Sequence, residues 1–203
     1  MKITDIKLEP CIMRKEDPTW RFALGASPIT EGLIVSIETD EEITGYGYAS
    51  ATAHMGASME GLTGTLERLI PHVKEHDALS MASIRVTMDR ALSGNNQAKA
   101  AIDNALFDLA AKSMNVPLHR LFGGAVRTEF PVLRILAIKQ PDEMAEQAQI
   151  LFDQGYRYFK IKVHGEVDLD IARVTAIRKR LGDEANLTVD ANQAYSPKDA
   201  IAA

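Results

Sequence analysis

Cysteine is almost missing from this chain. Cys11 is the only one in 203 residues, so no disulfide forms within the chain and a reducing compartment is the simplest expectation. A single thiol in a strand-like segment reads as a small core hydrophobe, not a nucleophile. Long apolar runs are missing too: no stretch approaches the roughly 20 apolar residues of a membrane helix. Met1-Lys2-Ile3-Thr4 reads as a strand start and has none of the apolar core of a signal peptide. The expectation is a soluble, cytoplasmic protein that engages no membrane. Basic excess is lacking as well. With 23 Lys and Arg against 28 Asp and Glu the net charge is −5, which argues against a nucleic-acid or acidic-membrane surface. What remains is an ordinary globular composition, 46% hydrophobic and 25% charged, with length for one or two domains and a substantial core.

The first part of the chain has an antiparallel rhythm. Residues 3–13 and 33–38 have strand character, and Glu41-Glu42-Ile43-Thr44-Gly45 turns into a third strand at Tyr46-Gly47-Tyr48. Between the first two lies Arg14 to Gly32, rich in Pro, Gly and charge, with Trp20 and Phe22 at its middle. An aperiodic segment of that length with exposed aromatics favours a lid or binding loop. Helical spacing follows over 59–76, 81–92 and 96–114, the last with Ala98, Ile102, Ala105, Leu109 and Met114 on one stripe. Gly123-Gly124 ends that pattern, so the predicted domains are an α+β unit over 1–125 and a second unit over 126–203. In the second, strands at 132–138, 156–163 and 187–192 alternate with helices at 141–154 and 168–181, the latter with Ile171, Val174, Ile177 and Leu181 inward. Ser196-Pro197 opens one more helix. Strands separated by helices at this spacing predict parallel βαβ units.

The chemistry-bearing residues fall on two of those strands. Alternation puts Phe159, Ile161 and Val163 on the face that helices cover, and Lys160 and Lys162 on the other. One unit later Leu187, Val189 and Ala191 are apolar while Asp190 and Asn192 share the opposite face near the strand's C-terminal end, where barrel active sites lie. Lys-x-Lys alone is weak, because an edge strand often shows lysines to water. The apolar opposite face, the βαβ setting and the matching Asp-x-Asn carry the reading. Lysines at i and i+2 lie roughly 7 Å apart, and their like charges favour a lowered pKa on at least one, suited to a general base. Asp190 offers a hard oxygen of the kind Mg²⁺ takes.

Phe159-Lys160-Ile161-Lys162-Val163, then Leu187-Thr188-Val189-Asp190-Ala191-Asn192-Gln193, resemble the enolase superfamily in its muconate-lactonizing and mandelate-racemase branch. Residues 96–124, ending Pro117-Leu118-His119-Arg120-Leu121-Phe122-Gly123-Gly124, resemble the last part of that branch's capping domain. The resemblance implies an α+β capping domain followed by the first units of a (β/α) TIM-type barrel, with Mg²⁺ held by three acidic ligands at the ends of successive strands. It implies Lys162 as acid/base, Lys160 beside it touching the substrate carboxylate, Asp190 as first metal ligand and Asn192 as an orienting partner. Trp20, Phe22, His54 and Met55 correspond to the capping loops that select substrate. One local departure is Val163-His164-Gly165, where the family passes from valine straight to glycine.

The implied activity is Mg-dependent removal of the proton α to a small-molecule carboxylate through an enediolate. Racemisation or epimerisation of an amino-acid derivative or dipeptide is favoured over cycloisomerisation or dehydration. A homo-oligomer is implied by resemblance alone. Such a barrel needs roughly 200 to 250 residues, so the barrel is expected to be incomplete within 126–203, the chain to be part of a longer enzyme, and this part alone to be inactive. The competing expectations are a Schiff-base aldolase using a strand lysine and a non-catalytic fragment acting as an interaction module.

Overall fold

A computed structural model describes all 203 residues. In chain order the elements are β1 (Ile3–Arg14), β2 (Arg21–Phe22), β3 (Gly25–Ala26), β4 (Ile29–Thr39), β5 (Thr44–Ser50), α1 (Met59–Val73), α2 (Met81–Ala91), α3 (Asn96–Ser113), β6 (Leu133–Leu136), α4 (Pro141–Asp153), β7 (Tyr158–Lys162), α5 (Val167–Leu181), β8 (Asn186–Asp190) and α6 (Pro197–Ala202). They form two compact units, one of residues 1–13 with 29–126 and one of 14–28 with 127–203.

The first unit is a three-stranded sheet, order β1-β4-β5, with three helices. β4 is rich in β-branched residues and buries Leu33, Val35 and Ile37, as alternation on a half-covered sheet requires. The Ser58 hydroxyl accepts from the Gly61 amide and caps α1, which turns Leu62, Leu66, Leu69 and Val73 inward. Helix α3 buries Ala98, Ala101, Ile102, Ala105, Leu106 and Leu109. Its alanines let it lie directly on β5, where a Cβ added at Gly45 would stand 2.2 Å from the Ala105 carbonyl oxygen and one at Gly47 1.9 Å from that of Ala101. Met114, expected on this stripe, is 55% exposed, because the helix ends at Ser113 and the chain has begun to turn.

The second unit is a parallel sheet, order β6-β7-β8. Lys160 pairs with Ile135 and Thr188, and Lys162 with Asp190. Phe159, Ile161 and Val163 are fully buried with Met144, Ala148 and Leu151 of α4 and Ile177 and Leu181 of α5. The expected α5 stripe is corrected by one residue. Asp170, Arg173, Ile177 and Leu181 are the buried positions, whereas Ile171 is 43% exposed. Three strands do not close a barrel, and Val189 on the outer face of β8 remains 52% exposed. No helix is long and apolar enough to cross a membrane.

The segment expected to be one long loop is shorter and more ordered. Ile29 to Gly32 belong to β4, and residues 14–28 pack into the second unit as a hairpin of β2 and β3 with Phe22 opposite Gly25. The Ile138 amide donates to the Arg21 carbonyl at 3.0 Å, and ion pairs Lys139–Asp17 (2.9 Å) and Arg134–Glu16 (3.0 Å) hold the hairpin to β6 and the loop after it. Trp20 and Phe22 are half-buried, not exposed.

Candidate active site

Parallel register places Lys162 and Asp190 side by side at the C-terminal ends of β7 and β8. The Lys162 ammonium, 10% exposed, donates to Asp190 Oδ2 at 2.7 Å and to Asn192 Oδ1 at 2.6 Å. Lys160 Nζ lies 3.2 Å from the same Asp190 oxygen. The two lysines therefore converge on one carboxylate between them. Asp190 Oδ1 accepts from the Asn192 amide at 3.0 Å. Asn192 and Gln193 take φ of 45° and 69°, a left-handed pair that curls the chain back over the strand end. Asparagine tolerates that conformation better than most residues, which is why it can return its side chain to Lys162. The hydrogen bond from Lys162 holds the Asp190 carboxyl down at about 2; burial opposes it, and Asn192 and Lys160 assist. Asp190 is accordingly an anion at any physiological pH.

Across from the lysines, the Phe22 ring centroid is 5.8 Å from Lys162 Nζ. Lys15 Nζ lies 4.9 Å over Trp20 and donates to Ser27 Oγ at 3.0 Å. Of the residues expected at the site, Lys160, Lys162, Asp190, Asn192 and Phe22 meet here, and Trp20 shares the hairpin. His54 and Met55 lie in the first unit, in a single 3-10 turn after β5, both exposed.

A buried charge network that sequence reading missed backs this site. Asp170 and Arg173 on α5 have side chains only 2% and 3% exposed and pair at 2.6 Å. Asp170 also accepts from the Tyr195 hydroxyl (2.9 Å) and the Gly165 amide (2.9 Å), and more distantly from the His164 amide. Arg173 Nε donates to the Lys139 carbonyl at 2.8 Å, and one of its amino groups stands 3.2 Å from His164 Nδ1. One ion pair thus ties together the loops that follow β6, β7 and β8. The extra residue His164 is absorbed into it. Burial pushes the Asp170 carboxyl up, but the hydrogen bonds from Tyr195, Arg173 and the two amides outweigh burial and hold it below the usual range. Burial and the neighbouring Asp170 push the Tyr195 phenol up to about 12. The available signal was the spacing: opposite charges at i and i+3, in line with Ile177 and Leu181 on an otherwise apolar stripe.

For a divalent cation, the residues present offer one hard-oxygen donor. Asp190 is ionised and offers hard oxygen, the donor Mg²⁺ prefers. Nowhere in the chain do three His, Cys, Asp or Glu side chains converge on one point, so Asp190 fits as a single carboxylate ligand.

Two family models match this architecture: residues 10–123 match the mandelate racemase / muconate lactonizing enzyme N-terminal domain, and residues 143–203 the enolase C-terminal domain-like family. The N-succinyl-L-Arg/Lys racemase of Bacillus cereus is 38% identical over 197 residues, 96% of this chain and 53% of the racemase. Its crystal structure superposes with a TM-score of 0.92. The hydrophobic dipeptide epimerase of Enterococcus faecalis is 33% identical, covering 100% of this chain and 57% of its own. The structure of the dipeptide epimerase from that organism, in complex with Mg and the dipeptide L-Leu-L-Tyr, superposes at 0.93. A chloromuconate cycloisomerase of a Pseudomonas species is 35% identical over 134 residues, 65% of this chain and 36% of that enzyme. The chain spans about half the length of the curated relatives it matches first. It belongs to the enolase superfamily, in the mandelate racemase / muconate lactonizing branch.

Proposed function

We propose that Lys162 is the acid/base of a racemase or epimerase acting on an amino-acid derivative or dipeptide, removing the proton α to the substrate carboxylate. The observation that carries this reading is the buried Lys162 ammonium held between Asp190 Oδ2 and Asn192 Oδ1 at the end of a barrel-type strand. Taking up a proton needs the neutral amine. Asp190 and Asn192 then receive the resulting ammonium with two acceptors already in line, which fixes its direction and stabilises it where it forms. Lys160, paired to the same carboxylate but 28% exposed, is placed to meet the substrate carboxylate and offset the second negative charge of the enediolate. Phe22 lies over Lys162 and keeps water from the reacting carbon. A bound Mg²⁺ would supply positive charge that lowers the acidity barrier at the α-carbon, with Asp190 as one of its ligands. The remaining ligands and the base for the opposite face belong, in this reading, to further strands of a closed barrel.

The named activities of the relatives support isomerase chemistry, and the Mg complexes among solved relatives support the cation. The same reading carries a cytoplasmic homo-oligomer, which light scattering on the purified protein tests. The chemical test is α-proton exchange in D₂O, followed by NMR over N-acylated amino acids, dipeptides and sugar acids, with this chain joined to the rest of its barrel. Exchange that stops on chelation supports the proposal. Exchange that persists under chelation, or a lysine trapped by borohydride with a carbonyl substrate, overturns it in favour of Schiff-base chemistry.

A further inference from the structure

The turn that carries Asn192 is held in a conformation that its own residues do not favour throughout. Residues 191–194 are closed by the Ala194 amide, which donates to the Ala191 carbonyl at 2.9 Å. The two central residues, Asn192 and Gln193, have φ of 45° and 69°, the double left-handed pattern of a type I′ turn. Asparagine suits the first of these positions. The second is ordinarily glycine, and glutamine lacks glycine's freedom there. Strained backbone of this kind persists only where the surroundings over-determine it. On the strand side, Asp190 Oδ1 accepts from the Asn192 amide at 3.0 Å. On the far side, the half-buried Tyr195 sends its hydroxyl to Asp170 Oδ2 at 2.9 Å. The same oxygen accepts from the Gly165 amide at 2.9 Å, and a Cβ added at Gly165 would stand 2.8 Å from the Ala194 carbonyl oxygen. The loop after β7 therefore rests directly on the turn. Asp170 is a fixed anchor, because Arg173 holds its other oxygen at 2.6 Å. With its phenol pushed up to about 12, Tyr195 remains a donor at any physiological pH.

Resting on the proton-abstraction reading above, we propose that Tyr195 is a positioning residue for that reaction: its hydroxyl, tied to Asp170, holds the 191–194 turn so that Asn192 Oδ1 stays against Lys162. Without the tether Gln193 relaxes out of the left-handed region and the turn swings Asn192 away. Lys162 then keeps Asp190 but loses its second acceptor, and its direction is fixed from one side only. The partner of the hydroxyl is Asp170, so Tyr195 acts through the turn and not on the proton. Gln193 is exposed, so glycine at that position removes no packing and takes the left-handed conformation without strain. It should make the tether dispensable.

The test begins with the side-chain amide signal of Asn192 in ¹⁵N NMR of the 203-residue chain. Tyr195→Phe keeps the ring and should move that signal toward its position in Lys162→Ala. Adding Gln193→Gly should return it to where Gln193→Gly alone places it. In the complete barrel, Tyr195→Phe should lower kcat for α-proton exchange about tenfold, the worth of one hydrogen bond to a charged group, with KM changed by less than about twofold. Gln193→Gly should restore most of that loss. A merely structural tyrosine would lower the urea midpoint and leave kcat of the folded enzyme unchanged. An Asn192 signal that ignores Tyr195→Phe, an unchanged kcat, or a loss that Gln193→Gly does not recover overturns the proposal. Failure of the underlying reading looks different: the native complete barrel would exchange no α-proton while the Asn192 signal still follows Tyr195, which ends the role in proton transfer and leaves only the tether.

Discussion

Removing Asp170 tests how far the second unit depends on its buried ion pair. Asp170 and Arg173 are 2% and 3% exposed, so Asp170→Ala leaves a guanidinium in the interior with only the Lys139 carbonyl and His164 Nδ1 as acceptors. Stripping one partner from a buried pair costs about 3–5 kcal/mol. The Gly165 amide and the Tyr195 hydroxyl lose their acceptor as well, which favours the upper end. With a urea slope of roughly 2 kcal/mol per molar for a unit of this size, the midpoint should fall by about 1.5–2.5 M. Trp20 is the only tryptophan in the chain and lies in the same compact unit, so its fluorescence reports that transition. Asp170→Ala with Arg173→Leu should recover part of the loss, because no uncompensated charge remains. A single-variant shift below about 0.5 M, or a double variant as unstable as the single, would refute the reasoning that charge burial dominates this helix.

Two other outcomes follow from the same geometry. A depressed carboxyl contributes stability above its unfolded value and loses it as pH falls through its folded one. Asp170 and Asp190 are both held down, so the Trp20 urea midpoint should drop from about pH 4, the ordinary carboxylate value, toward about 2, where Asp190 titrates. Asp170→Asn should flatten that dependence. In the first unit, Gly47→Ala forces a Cβ to 1.9 Å from the Ala101 carbonyl oxygen. Backbone of β5 or α3 must shift, and the overpacking cost of about 1–3 kcal/mol should appear as a lower thermal midpoint by far-UV circular dichroism. An unchanged midpoint would contradict the close rest of α3 on β5 at Gly47 and Ala101.

Much of this molecule can be read from its residues because patterning and packing agree. The alternation of Phe159-Lys160-Ile161-Lys162-Val163 predicts which side the lysines take, and the parallel register that brings Lys162 beside Asp190 follows from the βαβ rhythm. Ser196 announces its helix as a cap. Other features are set by contacts distant in sequence. That residues 14–28 join the second unit depends on ion pairs to Arg134 and Lys139, more than a hundred positions away. Asp170 and Arg173 look like solvated helix charges until the loops after three strands are seen to converge on them. Reading Ile171 as buried followed hydrophobicity alone, and the paired charges at i and i+3 won the inner face instead. The left-handed turn at Asn192 that returns its side chain to Lys162 leaves only a faint local trace, since asparagine is merely one of several residues that tolerate it.

The most direct measurement is α-proton exchange in D₂O with Mg²⁺, resolved by starting enantiomer, for the complete barrel carrying native Lys162 and for Lys162→Ala. The account predicts that exchange from one enantiomer falls by at least 10²- to 10⁴-fold, the worth of a positioned general base, while the folded far-UV spectrum is kept. Exchange from both enantiomers at the native rate would contradict it.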